Sequence, residues 1–336
     1  MPLPGFVRSG VSAWRQVAGN DTALEHWAKK RYLHYVSSQL RKDRGKTWVQ
    51  WSGRRFVIVS ESDDLPEPRR GIVLQGGCDL PSMFTVAPLI RQGIRGTVAI
   101  AKVTSGGAGR HRMDQIVQTL DPIPEVHTRE VKEKLRLRQD YFEPLLFREE
   151  FAIPDQPQFG HFPQTVVVMS IATDLTRTAY AHEQYGFTVD PGGWWLNQSL
   201  ERVLDDLSAV DWFRSNFRSV GKLSVEKFQE SIALVVPELK ERINSKVMIY
   251  NSLVIEPGNQ THNYQLIRNP HSARRRSFAI ALAEASRALD FHIVDVDRVL
   301  KTEGVREQID FAHFPVERMA PIGREAAAIL RELEVA

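Results

Sequence analysis

The stretch Gly71-Ile72-Val73-Leu74-Gln75-Gly76-Gly77-Cys78-Asp79-Leu80-Pro81 decides how this chain is read. Residues 71–75 form a short apolar run bounded by glycine, the pattern of a strand buried on both faces. Two glycines then predict a tight turn, and Pro81-Ser82 beyond it opens an amphipathic stretch over 83–93. A buried strand, a glycine turn and a helix are the opening of a βαβ unit.

Working outward, the same rhythm recurs. Apolar runs at Gly96–Val103, Thr165–Ile171, Lys246–Tyr250 and Phe291–Val296 alternate with amphipathic stretches over 111–120, 129–150, 198–243 (interrupted) and 272–289. A last helix is expected over 318–334. Strands separated by helical crossovers predict a three-layer α/β/α fold, a doubly wound parallel sheet covered on both faces. No repeat at solenoid periods is present.

The N-terminal part reads differently. Residues 12–41 carry apolar positions at helical spacing, among them Trp14, Val17, Leu24 and Trp27. Thr47–Trp51 and Phe56–Val59 flank Ser52-Gly53-Arg54-Arg55, which predicts a β-hairpin. A charged, proline-punctuated linker follows at 63–70. The expected division is an N-terminal α+β extension over 1–65 and an α/β domain over 66–336.

Composition narrows the class. The chain has 336 residues, 42% hydrophobic and 25% charged, which sets aside collagen, mucin-like stalks and wholesale disorder. Lys plus Arg exceed Asp plus Glu by only 44 − 41 = 3, so net charge gives no argument for nucleic acid. One cysteine, Cys78, excludes a disulfide framework within this chain and a zinc site built from several thiolates. The histidines show no metal spacing, and neither a metal nor another cofactor is expected. No run approaches the roughly 20 apolar residues that span a bilayer, and no secretory leader is apparent. The expectation is a soluble cytoplasmic protein, its oligomeric state open.

In a doubly wound sheet, ligands sit beyond the C-terminal ends of the strands. The five predicted strands deliver, in order, Gly76-Gly77-Cys78-Asp79, Thr104-Ser105-Gly106-Gly107-Ala108-Gly109, Ala172-Thr173-Asp174, Asn251-Ser252 and, further on, Asp310-Phe311-Ala312-His313. A thiol near a helix N-terminus is a candidate nucleophile, because the unpaired N–H groups there favour the thiolate. An acid three residues before a histidine is the acid–base half of a triad. Each has a plain structural alternative: a packed cysteine, and a surface acid beside a helix-capping histidine.

The order is more telling than either motif. A nucleophile after the first strand, glycine after the second, a small polar group after the third and Asp-x-x-His before the last helix resemble the SGNH/GDSL hydrolase superfamily over roughly 70–336. The likeness is to branches with a Gly-x-Cys or Gly-x-Ser nucleophile turn, including those found in polysaccharide tailoring proteins. The resemblance implies an acyl-ester hydrolase or acyltransferase acting on a small or carbohydrate-linked acyl group. It makes Cys78 the nucleophile, or Asp79 with the register shifted by one, His313 the base and Asp310 its orienter. Gly107 or Gly106 would supply an oxyanion N–H. The chain departs from the family at the third block, where Ile171-Ala172-Thr173-Asp174 stands for Gly-x-Asn-Asp. Thr173, or Asn251 after the fourth strand, would then take the second donor's place.

The same departure motivates an alternative, a catalytically silent domain of this fold that binds a ligand or partner. A third reading, nucleic-acid binding, rests only on scattered basic clusters and predicts affinity that falls steeply with salt. Glycines 106–109 meet neither the Walker nor the Rossmann pattern. Trp194-Trp195 lie in a glycine-rich loop and would stack on a sugar or pack internally. Arg274-Arg275-Arg276 reads as a solvated helix face, and His182-Glu183 falls short of a zinc-protease motif.

Overall fold

The structure is a computed structural model, and it describes residues 47–51, 54–60, 70–76, 80, 97–102, 112–147, 164–192, 199–204, 206–254, 272–303 and 316–334. The central strands are β3 (Arg70–Gln75), β4 (Thr97–Lys102), β5 (Gln164–Ser170), β9 (Ser245–Tyr250) and β10 (His292–Val294). They pair in parallel in the order β4-β3-β5-β9-β10. By rank along the chain that is 2-1-3-4-5, the order of a flavodoxin-like doubly wound sheet. The hairpin β1 (Thr47–Trp51) and β2 (Arg54–Ser60) is present, and it adds antiparallel to the β4 edge, making a seven-stranded sheet.

Strand alternation explains the three layers. Val73, Val167, Met169, Val247 and Ile249 face one way, against α1 (Met113–Gln118), α6 (Val225–Ile243) and α7 (Ser272–Leu289). Ile72, Leu74, Val166, Val168, Met248 and Tyr250 face the other way, against α8 (Val296–Thr302) and α9 (Val316–Glu332). Leu80 joins that second core, fully buried. Helix α6 shows why local sequence suffices for such elements. Ser224 caps it through Lys227 N, its buried residues recur three and four apart, and Asn244 ends it in the left-handed region.

A second sheet was not foreseen. Strands β6 (Thr178–His182), β7 (Thr188–Val189) and β8 (Phe217–Lys222) form an antiparallel sheet in the order β7-β6-β8. Its own core gathers Phe187, Val189, Phe213 and Phe217 with Val131, Tyr141 and Phe142. Around it lie α2 (Glu125–Lys134), α4 (Leu200–Leu204) and α5 (Leu207–Asn216). The expected helix over 129–150 is thus α2 and a separate 3-10 turn at Leu145–Phe147, and the stretch 198–243 contains a strand. Only one residue of β8, Phe217, is buried, so the strand gives no alternating pattern to read. Among the described residues, no helix is long and apolar enough to cross a membrane.

Gly76 marks where the sheet hands over to the turn. A Cβ there would lie 2.8 Å from Leu80 Cδ1 and 3.0 Å from Ser170 Cβ. Only a residue without a side chain lets β3 and β5 end this close together. Gly76→Ala should therefore destabilise the fold by about 1–3 kcal/mol through overpacking, read as a lower urea midpoint with an unchanged m value. A midpoint equal to wild type would show that the handover has slack.

Candidate functional site

The strand order reverses between β3 and β5, since the chain leaves β3 for β4 on one side and returns to β5 on the other. The crevice at such a switch point is where these folds take ligands. Gly76 and Ser170 meet on its floor. Gly77, Cys78 and Asp79 fall between Gly76 and the buried Leu80, and they lie outside the described residues. So do Gly106, Gly107, Trp194, Trp195, Asp310 and His313.

Two candidates are described. Thr173 lies in the short helix α3 (Ala172–Thr176), three residues past the end of β5, and is buried. Its carbonyl accepts from Arg177 N at 3.0 Å. Asn251 directly follows β9, and Tyr250 is in register with Ser170, so the two candidates leave neighbouring strands at one edge. The Asn251 amide is put to use there: Nδ2 donates to Asp295 Oδ1 at 2.7 Å, and Oδ1 accepts from Asp297 N at 3.3 Å. Asn251 thereby ties β9 to the start of α8.

The residue sequence reasoning undervalued is Asp174. Its carboxylate is buried and accepts from Met113 N at 2.6 Å, joining the end of β5 to the start of α1. Burial pushes its pKa up to about 7; the Asp114 charge adds to the rise, while the Met113 N–H and Arg112 oppose it. Arg112, itself buried, is held by a bidentate contact to Asp114 (3.0 and 2.6 Å) and donates to the carbonyls of Arg177 (3.3 Å) and Gly221 (2.7 Å). Gly221 stands at a bulge between β6 and β8 in the left-handed region, φ 75°, which glycine adopts without strain. Arg177, fully buried, pairs with Asp190. The Asp190 backbone N donates to the Tyr141 hydroxyl at 3.0 Å.

The arginine run is not a solvated face. Arg275 is buried and donates to Leu253 O at 2.8 Å. Arg274 reaches the carbonyls of Leu175 (2.9 Å), Asp174 (2.7 Å) and Leu223, with its guanidinium 4.5 Å from the Phe278 ring centroid. Helical spacing turns these two residues toward the sheets, and no motif announces that. His182 is a packed histidine: Nδ1 accepts from Gln184 N at 3.2 Å, and the ring lies against Tyr185, Phe187 and Phe217. Burial lowers its pKa, against the pull of Glu130 and Glu183. Among the described residues, no group of three or more His, Cys, Asp or Glu is arranged to hold a metal.

At the end of β3, the Gln75 side-chain oxygen is buried with no hydrogen-bond partner among the described residues, and so is the Gln115 amide nitrogen in the first turn of α1.

No protein-family model matches the chain, and no curated protein matches it. Among solved structures, a provisionally assigned SGNH hydrolase from Slackia heliotrinireducens is similar at 11% identity and TM-score 0.36, covering 78% of this chain and 98% of that one. A Geobacillus acetyl-xylooligosaccharide esterase in mutant form is similar at 11% identity and TM-score 0.36, covering 80% and 96%. An inhibitor-bound aryl esterase from M. smegmatis is similar at 12% identity and TM-score 0.35, covering 79% and 99%. At these scores the fold assignment rests on the strand order and the two core faces, not on the neighbours.

The raised pKa of Asp174 fixes the sign of a stability effect. An acid that holds its proton more tightly when folded stabilises below its unfolded value, and that contribution is lost as pH rises through about 7. Asp174→Asn mimics the protonated form. Its melting temperature relative to wild type should therefore climb between about pH 4 and pH 7. A flat difference across that window would show that Asp174 is already ionised when folded.

Proposed function

We propose that the chain is an SGNH-type acyl-ester hydrolase or acyltransferase working at the β3/β5 switch point. The observation that carries this reading is the 2-1-3-4-5 strand order with the Gly76–Leu80 handover at its reversal. In the sequence the chain's one cysteine stands two residues after Gly76, which supports reading it as the residue this fold would offer a ligand.

The roles follow from chemistry. Cys78 as thiolate adds to the ester carbonyl, and the oxyanion that forms is met by the backbone N–H of Gly107 or Gly106, with Thr173 or Asn251 as second donor. His313 holds the thiol proton and passes it to the departing alkoxide, leaving a thioester on Cys78 and a free alcohol. Asp310 orients the imidazole and stabilises its charged form. Water, or a sugar hydroxyl in the transferase case, then gives its proton to His313 and attacks the thioester, restoring the thiol. Asp79 takes the nucleophile's place in the shifted register. The acyl group is small, or is carried on a saccharide. Nothing in the scheme calls for a cofactor or for nucleic acid.

One observation favours the silent binding module as a second reading. Asn251 already spends one amide hydrogen on Asp295 and its carbonyl on Asp297 N, so it has only its second amide hydrogen to offer an oxyanion. Losing one such donor costs about 10²–10³ in turnover.

Hydrolysis of an aryl acetate and of acetylated xylo-oligosaccharide separates the two. Cys78→Ala and His313→Ala should each abolish turnover, while iodoacetamide should alkylate wild-type Cys78 rapidly near neutral pH. A thiol that resists alkylation, or a Cys78→Ala protein with full turnover, would reject the thiol mechanism.

A further inference from the structure

We propose that the turn between β6 and β7 is an acid-released latch: His182, as a neutral hydrogen-bond acceptor, holds the tip of the turn closed, and protonation of that acceptor lets it open. The device belongs to the second sheet and does not depend on the acyl-transfer reading.

The turn runs over residues 183–187, between His182 at the end of β6 and Thr188 at the start of β7. Its frame is backbone. His182 N donates to Phe187 O, Gly186 N to His182 O and Glu183 N to Asn216 O, each at 2.8 Å. Within that frame, Gln184 N is held by a side chain: it donates to Nδ1 of His182, two residues earlier, at 3.2 Å. An imidazole nitrogen that accepts carries no proton, so the ring is neutral with its hydrogen on Nε2. Phe187, Phe217 and Tyr185 fix the ring in that orientation, with centroids 5.1, 4.9 and 4.8 Å away. Tyr185 also stacks on His127 of α2 at 4.0 Å, so the tip of the turn rests on both histidines.

A protonated Nδ1 donates and no longer accepts, so it faces the Gln184 N–H as a second donor. A ring flip gives no relief, because both nitrogens of the cation are donors. The titratable and charged groups that face the ring are Glu130 and His127 of α2 and Glu183 and Tyr185 of the turn, with Arg218 of β8 lying 3.7 Å from Glu183. Burial and the His127 charge disfavour the imidazolium, and the two carboxylates favour it. Burial is the largest of these, so the folded pKa lies below the ordinary 6.5. A ring freed into water takes its proton near 6.5, and the ring in the closed turn does so only at lower pH. The closed turn is therefore favoured in full above 6.5 and loses ground as pH falls below it. One proton per opening limits that loss to about tenfold in the closed-to-open ratio per pH unit. The backbone bonds of His182 and Glu183 do not pass through the ring, which confines the release to the tip of the turn.

The test follows the full chain by NMR from about pH 8 to about pH 5. At the upper end, the His182 ring should carry its proton on Nε2 alone. As pH falls below 6.5, the Gln184 amide protection factor, corrected for intrinsic exchange, should drop by up to about tenfold per pH unit, with Leu239 of α6 unchanged. His182→Asn offers an acceptor that does not titrate, so its Gln184 amide should keep its protection throughout. Glu183→Gln removes a carboxylate that favours the imidazolium and should move the release to lower pH. A wild-type ring with its proton on Nδ1, or Gln184 protection that is flat across the range, overturns the proposal, and neither measurement needs a variant that might misfold. A loss shared equally by Leu239 is global unfolding and overturns it too. So does a loss that persists in His182→Asn.

Discussion

Two buried arginines organise the small antiparallel sheet of this protein and tie it to the start of α1. Arg177 leaves the end of α3 fully buried and pairs with Asp190, just past β7, while Arg112 bridges the start of α1 to the carbonyls of Arg177 and Gly221. The small antiparallel sheet has its own aromatic core, separate from the two cores of the main sheet. Apolar packing tolerates sliding; a buried ion pair does not, because either partner left alone costs about 3–5 kcal/mol. Such a pair contributes little net stability over an apolar substitute. What it contributes here is position. It fixes the entry of β6 against the exit of β7 within the second sheet, while Arg112 holds that sheet to the start of α1.

The same physics separates what the sequence disclosed from what it concealed. Strands β3, β5 and β9 are buried on both faces, so their apolar runs stand out against the polar helices between them, and the doubly wound sheet was legible. Helix α7 was legible too, since the 272–289 periodicity is the packing of Phe278, Ala281 and Leu282 on the sheet. The second sheet was not legible. β7 has only two residues, and β8 buries only Phe217 and directly follows helix α5. Arg177 and Asp190 are thirteen positions apart in the chain, and no local pattern announces their pairing.

The candidate site divides along a similar line. Which residues follow each strand can be read directly, and the order nucleophile, glycine, small polar group and Asp-x-x-His suffices to suggest acyl chemistry. What the rim residues do for the fold is another matter. Asn251 serves α8, Arg274 and Arg275 turn inward to carbonyls, and Asp174 serves the start of α1. All four are polar residues whose side chains are set by partners far away in sequence. Their types alone read as a donor, a solvated face and a motif remnant.

The account comes down to a thiol at a topological reversal. It is tested most directly by mixing the protein with an activated acetyl ester, quenching with acid early in turnover and measuring peptide masses. The prediction is one acetyl group on the peptide containing Cys78, lost on longer incubation as water takes the acyl group. It should accumulate where hydrolysis of the thioester is slowed, as in His313→Ala with a good leaving group. Wild-type turnover of the ester with Cys78 unmodified at every quench time would contradict it.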